Sequence, residues 1–417
     1  MDVKDTTYTG TLQISVVSAL GMSPIPGATV TISYTGDPDS PIETLTTDES
    51  GQTPEINLKA PPRELSLTPD ITEQPYSEYN IQVTAEGFET VLVSGSEILA
   101  GAYSLQPIRM NPLDVTEEEE EKVVVIPPHT LFGEYPPKIP EEEIKPMNET
   151  GEIVLSRVVI PEYVIVHDGD PEDPTARNYW VRYKDYIKNV ASSEIYPTWS
   201  ESAIYANILV IQSFTLNRVF TEWYRGKGYD FTITSSTAYD QKWIYGRNVF
   251  EEIDYLVDSI FTNYLSRPGV RQPIFTSYCD GNRTRCRGLS QWGSQSLAEQ
   301  GYSAIDIIHY YYGNDMYINS ADIISGVPSS WPGYDLTIGS SGEKVRQLQQ
   351  QLNRIARNYP AIPTLVPDGI YGPDTADAVR MFQKIFHLPQ TGIVDYPTWF
   401  EISDIYVGVT RISEPDV

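Results

Sequence analysis

Between residues 8 and 110 apolar and polar positions alternate in short runs, "GTLQISVVSA", "GATVTISYTG", "YNIQVTAEGF" and "ETVLVSG", with Pro, Gly, Asp and Asn between them. Alternation with period two marks a half-buried strand, and many short strands separated by turn residues predict a β-sandwich. From about residue 155 the pattern changes. "VVIPEYVIVHDG" predicts a strand and a turn, whereas "YWVRYKDYIKNVASSEI" and "ESAIYANILVIQSFTLNRVFTEWY" carry apolar residues three and four apart and predict helices. In the second helix Ser200 is placed to cap, Glu201 suits the positive end of the helix dipole, and Ile204, Ile208, Ile211 and Leu216 form a core stripe. Further on, "YDFTITSSTAYDQKWIYG" predicts strand and loop, "VFEEIDYLVDSIFTNYL" a helix, "QPIFTSYCDG" a strand, and "SQSLAEQGYSAIDIIHYYYG" one or two short helices.

After "VPSSWPGYD", which reads as a linker, Val345, Leu348, Leu352 and Ile355 share one helix face and Ala378, Val379 and Phe382 another; a third helix opens near Pro397. The expected architecture is multidomain: an all-β sandwich in residues 1–112, a linker in 113–154, an α+β domain in 155–332, and a small three-helix domain in 333–417. The first linker, "DVTEEEEEKVVVIPPHTLFGEYPPKIPEEEIKPMNETGE", sets two acidic runs among prolines. Charge repulsion and missing backbone donors predict extended, accessible chain, open to proteolytic processing.

Charge sharpens this division. Of the net −28, residues 1–150 carry −19, from 26 Asp/Glu against 7 Lys/Arg, which leaves −9 for the other 267 residues. Such acidity is hostile to nucleic acid, whose phosphates require a basic surface, though most of it lies outside residues 151–417, and no nucleic-acid partner is expected. No run of about 18 apolar residues suggests a membrane span, and "MDVKDTTYTG" has no apolar export signal. Cys279 and Cys286 lie seven positions apart, which allows one short-loop disulfide, paired metal thiolates or two unrelated thiols.

One residue stands out at a junction. In "NVASSEIYPTW" the carboxylate of Glu194 falls between two helical patterns, next to an aromatic-proline turn. Sequence chemistry allows a helix-terminal residue, a partner for Lys188 or Arg218, or a catalytic acid.

Resemblances narrow the choice. "PIPGATVTI", "TTDESGQ" and "VTAEGFE" resemble the carboxypeptidase-regulatory-like, transthyretin-like sandwich modules. The last 80 or so residues resemble the type 1 peptidoglycan-binding domain, through Gly339, Gly342, Val345, Leu348, Gln349, Leu352, then Asp368, Gly369, Tyr371, Gly372, Thr375, Phe382, Gln383, and finally Thr391, Gly392, Asp395 and Trp399. That resemblance points to the Asp368–Tyr371 turn, with Gly369 in it, as the wall contact. "RCRGLSQWGSQSLAEQGYSAIDIIHYYYG" is similar to the end of the SpoIID-type sporulation lytic transglycosylases, whose upstream catalytic glutamate corresponds to Glu194 in "SSEIYPTW". The family's central pattern falls loosely on Tyr239–Gly246, with Lys242 where it has cysteine; Arg285, Cys286, Arg287 and Gly288 replace its His-Gly stretch. No metal or other cofactor is therefore expected.

The whole order resembles the clostridial spore cortex-lytic enzymes. This resemblance implies cleavage of MurNAc-GlcNAc bonds in cortex peptidoglycan during germination, with 1,6-anhydro-MurNAc ends formed. It also implies a zymogen whose inhibitory prodomain is removed by a subtilisin-like spore protease cutting between 115 and 155, and deposition in the spore cortex or coat region from the mother cell. A lytic transglycosylase needs only one carboxylate, because the C6 hydroxyl of the substrate replaces an external nucleophile. Glu194 would have to start protonated, with Tyr196, Pro197, Trp199 and Tyr205 near in sequence to disfavour its charge. Tyr205, Tyr239, Asp240, Tyr245, Ser277, Tyr278, Ser290, Gln291 and Trp292 are the candidate sugar and stem-peptide contacts, since aromatic faces pack on sugar rings and polar groups bond acetamides. Two other readings stay open: an amidase, with zinc on Cys279, Cys286 and His309, and a non-catalytic wall-binding scaffold.

Overall fold

The computed structural model describes residues 8–19, 23–113, 121–145, 157–321, 323–325 and 332–410. The linker reading for 114–120 and 146–154, and that for 326–331, fall outside the described residues.

Among the described residues the first eight strands are β1 (Thr9–Ser18), β2 (Thr29–Tyr34), β3 (Asp37–Thr46), β4 (Ile56–Lys59), β5 (Ser77–Thr84), β6 (Val91–Ile98), β7 (Tyr103–Met110) and β8 (Lys122–Val125). β1 buries every second residue, as the alternation requires. One sheet runs β3-β2-β5-β6-β8, and the other contains β7-β1-β4 with β7 parallel to β1. Between them Leu12, Ile14, Val16, Val30, Ile32, Ile81 and Val83 are fully buried.

The sandwich does not stop at residue 112. β8 comes from the linker and pairs parallel to β6, Val91 opposite Lys122. Where the composition predicts solvated chain, residues 121–145 pack on the rest of the molecule, and His129, Thr130, Leu131, Tyr135 and Lys145 are buried. The prolines suit this: an extended segment has carbonyls free for groups outside itself, and here they find donors.

The next region begins with β9 (Val159–Ile160), β10 (Tyr163–His167) and β11 (Asn178–Arg182), followed by α1 (Tyr183–Glu194) and α2 (Glu201–Phe220). The periodicity places helix over 179–182, but these residues form β11, paired antiparallel with β10. Pairing with a neighbouring strand outweighs local helical pattern here. α2 is buried almost all round, so it is an axis rather than a surface helix. Ser200 stands at its N-cap without a capping side-chain bond; its N–H instead donates to Gln295 Oε1 at 2.9 Å.

Short strands β12 (Ile233–Thr234) and β13 (Val249–Phe250) precede α3 (Glu251–Ile260) and β14 (Asn263–Ser266), so the helix expected over 249–265 is shorter and ends in a strand. The strand expected in "QPIFTSYCDG" is only β15 (Tyr278–Cys279), parallel to β16 (Leu289–Ser290). α4 (Gln291–Glu299) and α5 (Ala304–Tyr312) pack on α2, and β17 (Tyr317–Ser320) pairs with β14. β13 pairs with β7, so this region contributes a strand to the second sheet of the sandwich.

The last three helices among the described residues are α6 (Glu343–Ala356), α7 (Pro373–Ile385) and α8 (Tyr396–Thr410). Val345, Leu348, Leu352, Ile355, Ala378, Val379 and Phe382 are buried as their spacing predicts, with Trp399 among them. Arg182 of β11 pairs with Asp404 at 2.5 Å and Lys184 of α1 with Glu401, docking α8 on both elements. Among the described residues no helix is long and apolar enough to cross a membrane.

Candidate functional site

Glu194 is the last residue of α1 and is fully buried. Ile195 leaves the helix in extended conformation, and the turn to Ser200 carries Tyr196, Pro197 and Trp199. Oε1 accepts the Lys242 backbone N–H at 2.8 Å, and Oε2 accepts the Gln291 amide at 3.4 Å. Burial pushes the carboxyl above its ordinary range; the Lys138 ammonium, the Lys242 N–H and the Tyr278 and Gln291 side chains oppose this without reversing it. Its place at the negative end of α1 acts in the same direction as burial.

Neither charge partner considered for Glu194 reaches it. Lys188 pairs with Asp254 at 2.7 Å and Asp258 at 3.0 Å, and Arg218 pairs with Asp240 at 2.7 Å and Glu141 at 2.6 Å. The nearby acids are occupied too. Asp240 accepts from Arg218, the Tyr224 hydroxyl and Thr234, and Asp280 accepts the N–H groups of Arg283 and Thr284. Among the described residues Glu194 forms no ion pair within 4 Å; an amide and a backbone donor hold it, and the Lys138 ammonium acts on its charge from farther off.

The sequence candidates divide. Tyr278 and Gln291 meet the carboxylate, and Gln291 Oε1 finds no hydrogen-bond partner although buried. Trp292 lies over Trp199, ring centroids 5.0 Å apart, and Trp199 sits edge-on to Tyr196. Ser290 caps α4, accepting from the Gly293 N–H at 2.9 Å. Ser277 offers its carbonyl to the Tyr312 hydroxyl. Tyr245 belongs to an aromatic ladder with Tyr179 and Trp243, whose centroids lie 5.0 and 6.2 Å from it. Tyr205 packs on the core. Asp240 is fully buried and anchors Arg218, so its role is structural, and Tyr239 supplies a carbonyl to the same guanidinium. The turn after Ser236, whose carbonyl accepts both the Tyr239 and the Asp240 N–H, commits the Asp240 carboxylate to Arg218, Tyr224 and Thr234.

The cysteines form a disulfide, Cys279–Cys286, which closes the turn containing Asp280, Arg283 and Thr284. His309 gives its Nε2 to the Met316 carbonyl at 2.8 Å. Sulfurs bonded to each other leave no thiolate pair, so these three residues do not form a zinc site.

Composition missed the residues lying on the site. Lys138 and Tyr135 come from the linker: the Lys138 ammonium stands 4.8 Å from the Tyr278 ring centre and donates to the Asp240 carbonyl, while the Tyr135 hydroxyl, close enough to Glu194 to feel its charge, is buried without a partner. The only sequence signal was a lysine standing alone in "GEYPPKIPEEE".

At the other end of the chain, the Asp368–Tyr371 turn is self-contained. Asp368 Oδ1 accepts from the Ile370 N–H and Gln349, and Gly369, at φ 78°, donates to Gln349 Oε1. Tyr371 is buried, its hydroxyl on the Gly392 carbonyl at 3.0 Å, so it builds the turn; Asp368 and Ile370 are the exposed members.

Residues 341–400 match the family described as a peptidoglycan binding domain. The chain therefore carries a module that associates it with cell-wall peptidoglycan. No curated protein matches it. Among solved structures, the Bacillus anthracis TIE protein aligns at 14% identity over 25% of this chain and 17% of its own, with TM-score 0.19. GBS52, the minor pilin of Streptococcus agalactiae, aligns at 15% identity over 27% and 49%, also at 0.19. Catechol 1,2-dioxygenase from Acinetobacter sp. ADP1 aligns at 14% over 30% and 60%, at 0.18. Overlaps this small carry no argument about the whole chain.

Proposed function

We propose that the protein is a cortex peptidoglycan lytic transglycosylase of the SleC type, with a SpoIID-like catalytic region, kept as a zymogen in the spore and activated by proteolysis between 115 and 155. The observation that supports this best is Glu194: a buried carboxyl, pushed toward its protonated form, in a chain that also carries a peptidoglycan-binding domain. An acid in that state donates a proton near neutrality.

In this reading Glu194 gives its proton to the glycosidic oxygen as the bond from C1 of N-acetylmuramic acid breaks. The C6 hydroxyl of the same sugar then attacks C1, and its proton passes to Glu194. The 1,6-anhydro ring closes and the acid is regenerated, with no second carboxylate needed. Gln291 and the Lys242 N–H hold the carboxyl in place between the two transfers.

The test is product analysis on purified cortex. Glu194→Gln keeps the shape, so it should fold while muropeptide release falls at least about a hundredfold, the scale of general acid catalysis. Wild-type digests should contain anhydro-muramic ends by mass spectrometry. Free stem peptides would indicate an amidase, and intact sacculi a scaffold; release by the Gln variant at the wild-type rate would overturn the assignment.

A further inference from the structure

Residues 129–145 cross the catalytic region as an extended strap. The Thr130 N–H and hydroxyl both donate to the Ser193 carbonyl, one residue before Glu194. Arg283 donates to the Phe132 carbonyl at 2.8 Å and the Gly133 carbonyl at 2.5 Å, and the Thr284 hydroxyl donates to the Tyr135 carbonyl at 2.9 Å. Tyr135 and Lys138 then come close enough to Glu194 for its charge to act on both, with the Lys138 ammonium 4.8 Å from the Tyr278 ring centre. Beyond them the Ile139 N–H donates to the Ala238 carbonyl, Glu141 pairs with Arg218, and the Glu143 carbonyl accepts the Phe275 N–H.

Two features separate this from ordinary packing. First, two buried polar atoms without partners lie where the strap passes Glu194: the Tyr135 hydroxyl and Oε1 of Gln291. A buried polar group left unpaired costs stability, so a surface carrying Gln291 beside Glu194 is made for a different occupant. Second, Arg283 is exposed, yet its turn is held rigid by the Cys279–Cys286 bridge and by the Asp280 carboxylate, which takes the N–H of Arg283 at 2.8 Å and of Thr284 at 2.9 Å. Pre-organised donors lose less entropy when they bind.

We propose that the strap lies in the groove as a built-in stand-in for the glycan strand, and that Arg283 and Thr284, which now hold its carbonyls, take the acetamide or stem-peptide carbonyls of a peptide-bearing amino-sugar polymer once it leaves. A guanidinium only donates, so carbonyl and carboxylate oxygens are its natural ligands. This inference rests on the lytic reading for its substrate, and it makes Arg283 a residue with opposite effects in two forms of one protein.

The test uses the full chain, intact or nicked by a site-specific protease sequence placed between 146 and 156, with both fragments kept. Nicking frees one end of the strap and lowers its effective concentration in the groove. In the intact chain Arg283→Ala should raise turnover of soluble, peptide-bearing glycan strands about tenfold, because the strap loses a charged grip. After nicking the same change should raise KM about tenfold with kcat little altered, and Arg283→Lys should recover part of it. An intact variant as silent as wild type, or a nicked variant with wild-type KM, overturns the proposal. If nicked wild type releases no product, the lytic reading fails, and binding of the same strands decides this one: tighter to nicked than to intact wild type, and weakened by Arg283→Ala only after nicking. Binding unchanged by nicking refutes it.

Discussion

Glu97 and Arg247 are both fully buried, the first on β6 of the sandwich and the second just before β13; their side chains meet at 2.6 Å, and Arg247 also donates to the Ser192 carbonyl. A buried ion pair adds little over a hydrophobic pair of the same shape, but removing one member strands the other. Glu97→Gln should therefore cost about 3–5 kcal/mol of unfolding free energy in denaturant titration, far more than the same change at a surface pair. Single residues were unevenly legible in the sequence. Glu194 could be singled out because an acid at a helix end beside Pro197 is chemically odd. Lys138 could not, since prolines and acidic runs usually mean solvated chain, and its partners Asp240 and Tyr278 come from elsewhere in the chain.

Between elements, α1, α3 and α8 meet around two ammoniums and three carboxylates: Lys184 and Lys188 against Asp254, Asp258 and Glu401. Burial pushes Asp254 up to about 7, helped by the negative charge of Asp258 and opposed by the Lys188 ammonium. Unfolded, it titrates near 3.8. Between these values the folded chain binds more protons, so this residue makes stability fall as pH rises from about 4 to about 7. Asp254→Asn should remove that slope, gaining on wild type in melting temperature toward neutral pH; equal slopes for the two proteins would contradict the argument. At this scale the periodic helices were legible, α6 and α7 down to their buried faces. β11 was not, because its strand character comes from β10, and neither was β14, which extends a helical pattern but pairs with β17.

Across the whole molecule, the order of sandwich, α+β region and three helices follows from where periodicity changes, whereas the contacts that bind them do not. The charge count of residues 1–150 gave no hint that Glu97, Glu141 and Glu143 pair with Arg247, Arg218 and Arg267. At Gly246, where φ is 74°, a Cβ would stand 2.5 Å from Val124, so β8 is seated against a gap that only glycine leaves. With a sheet shared between regions, the two fragments of a chain nicked between 146 and 156 should still co-elute at micromolar concentration in size-exclusion chromatography. Elution as two separate peaks would mean the covalent connection supplies most of the attachment.

That sharing has a cost on dilution, where the pieces part. β7 is flanked on one side by β1 and on the other only by Val249–Phe250, so an N-terminal fragment that departs carries a bare row of amide and carbonyl groups. Such a border recruits strands from its own kind. The discarded piece should gather into dimers or larger clusters, and a partner found that way is lost to its former host.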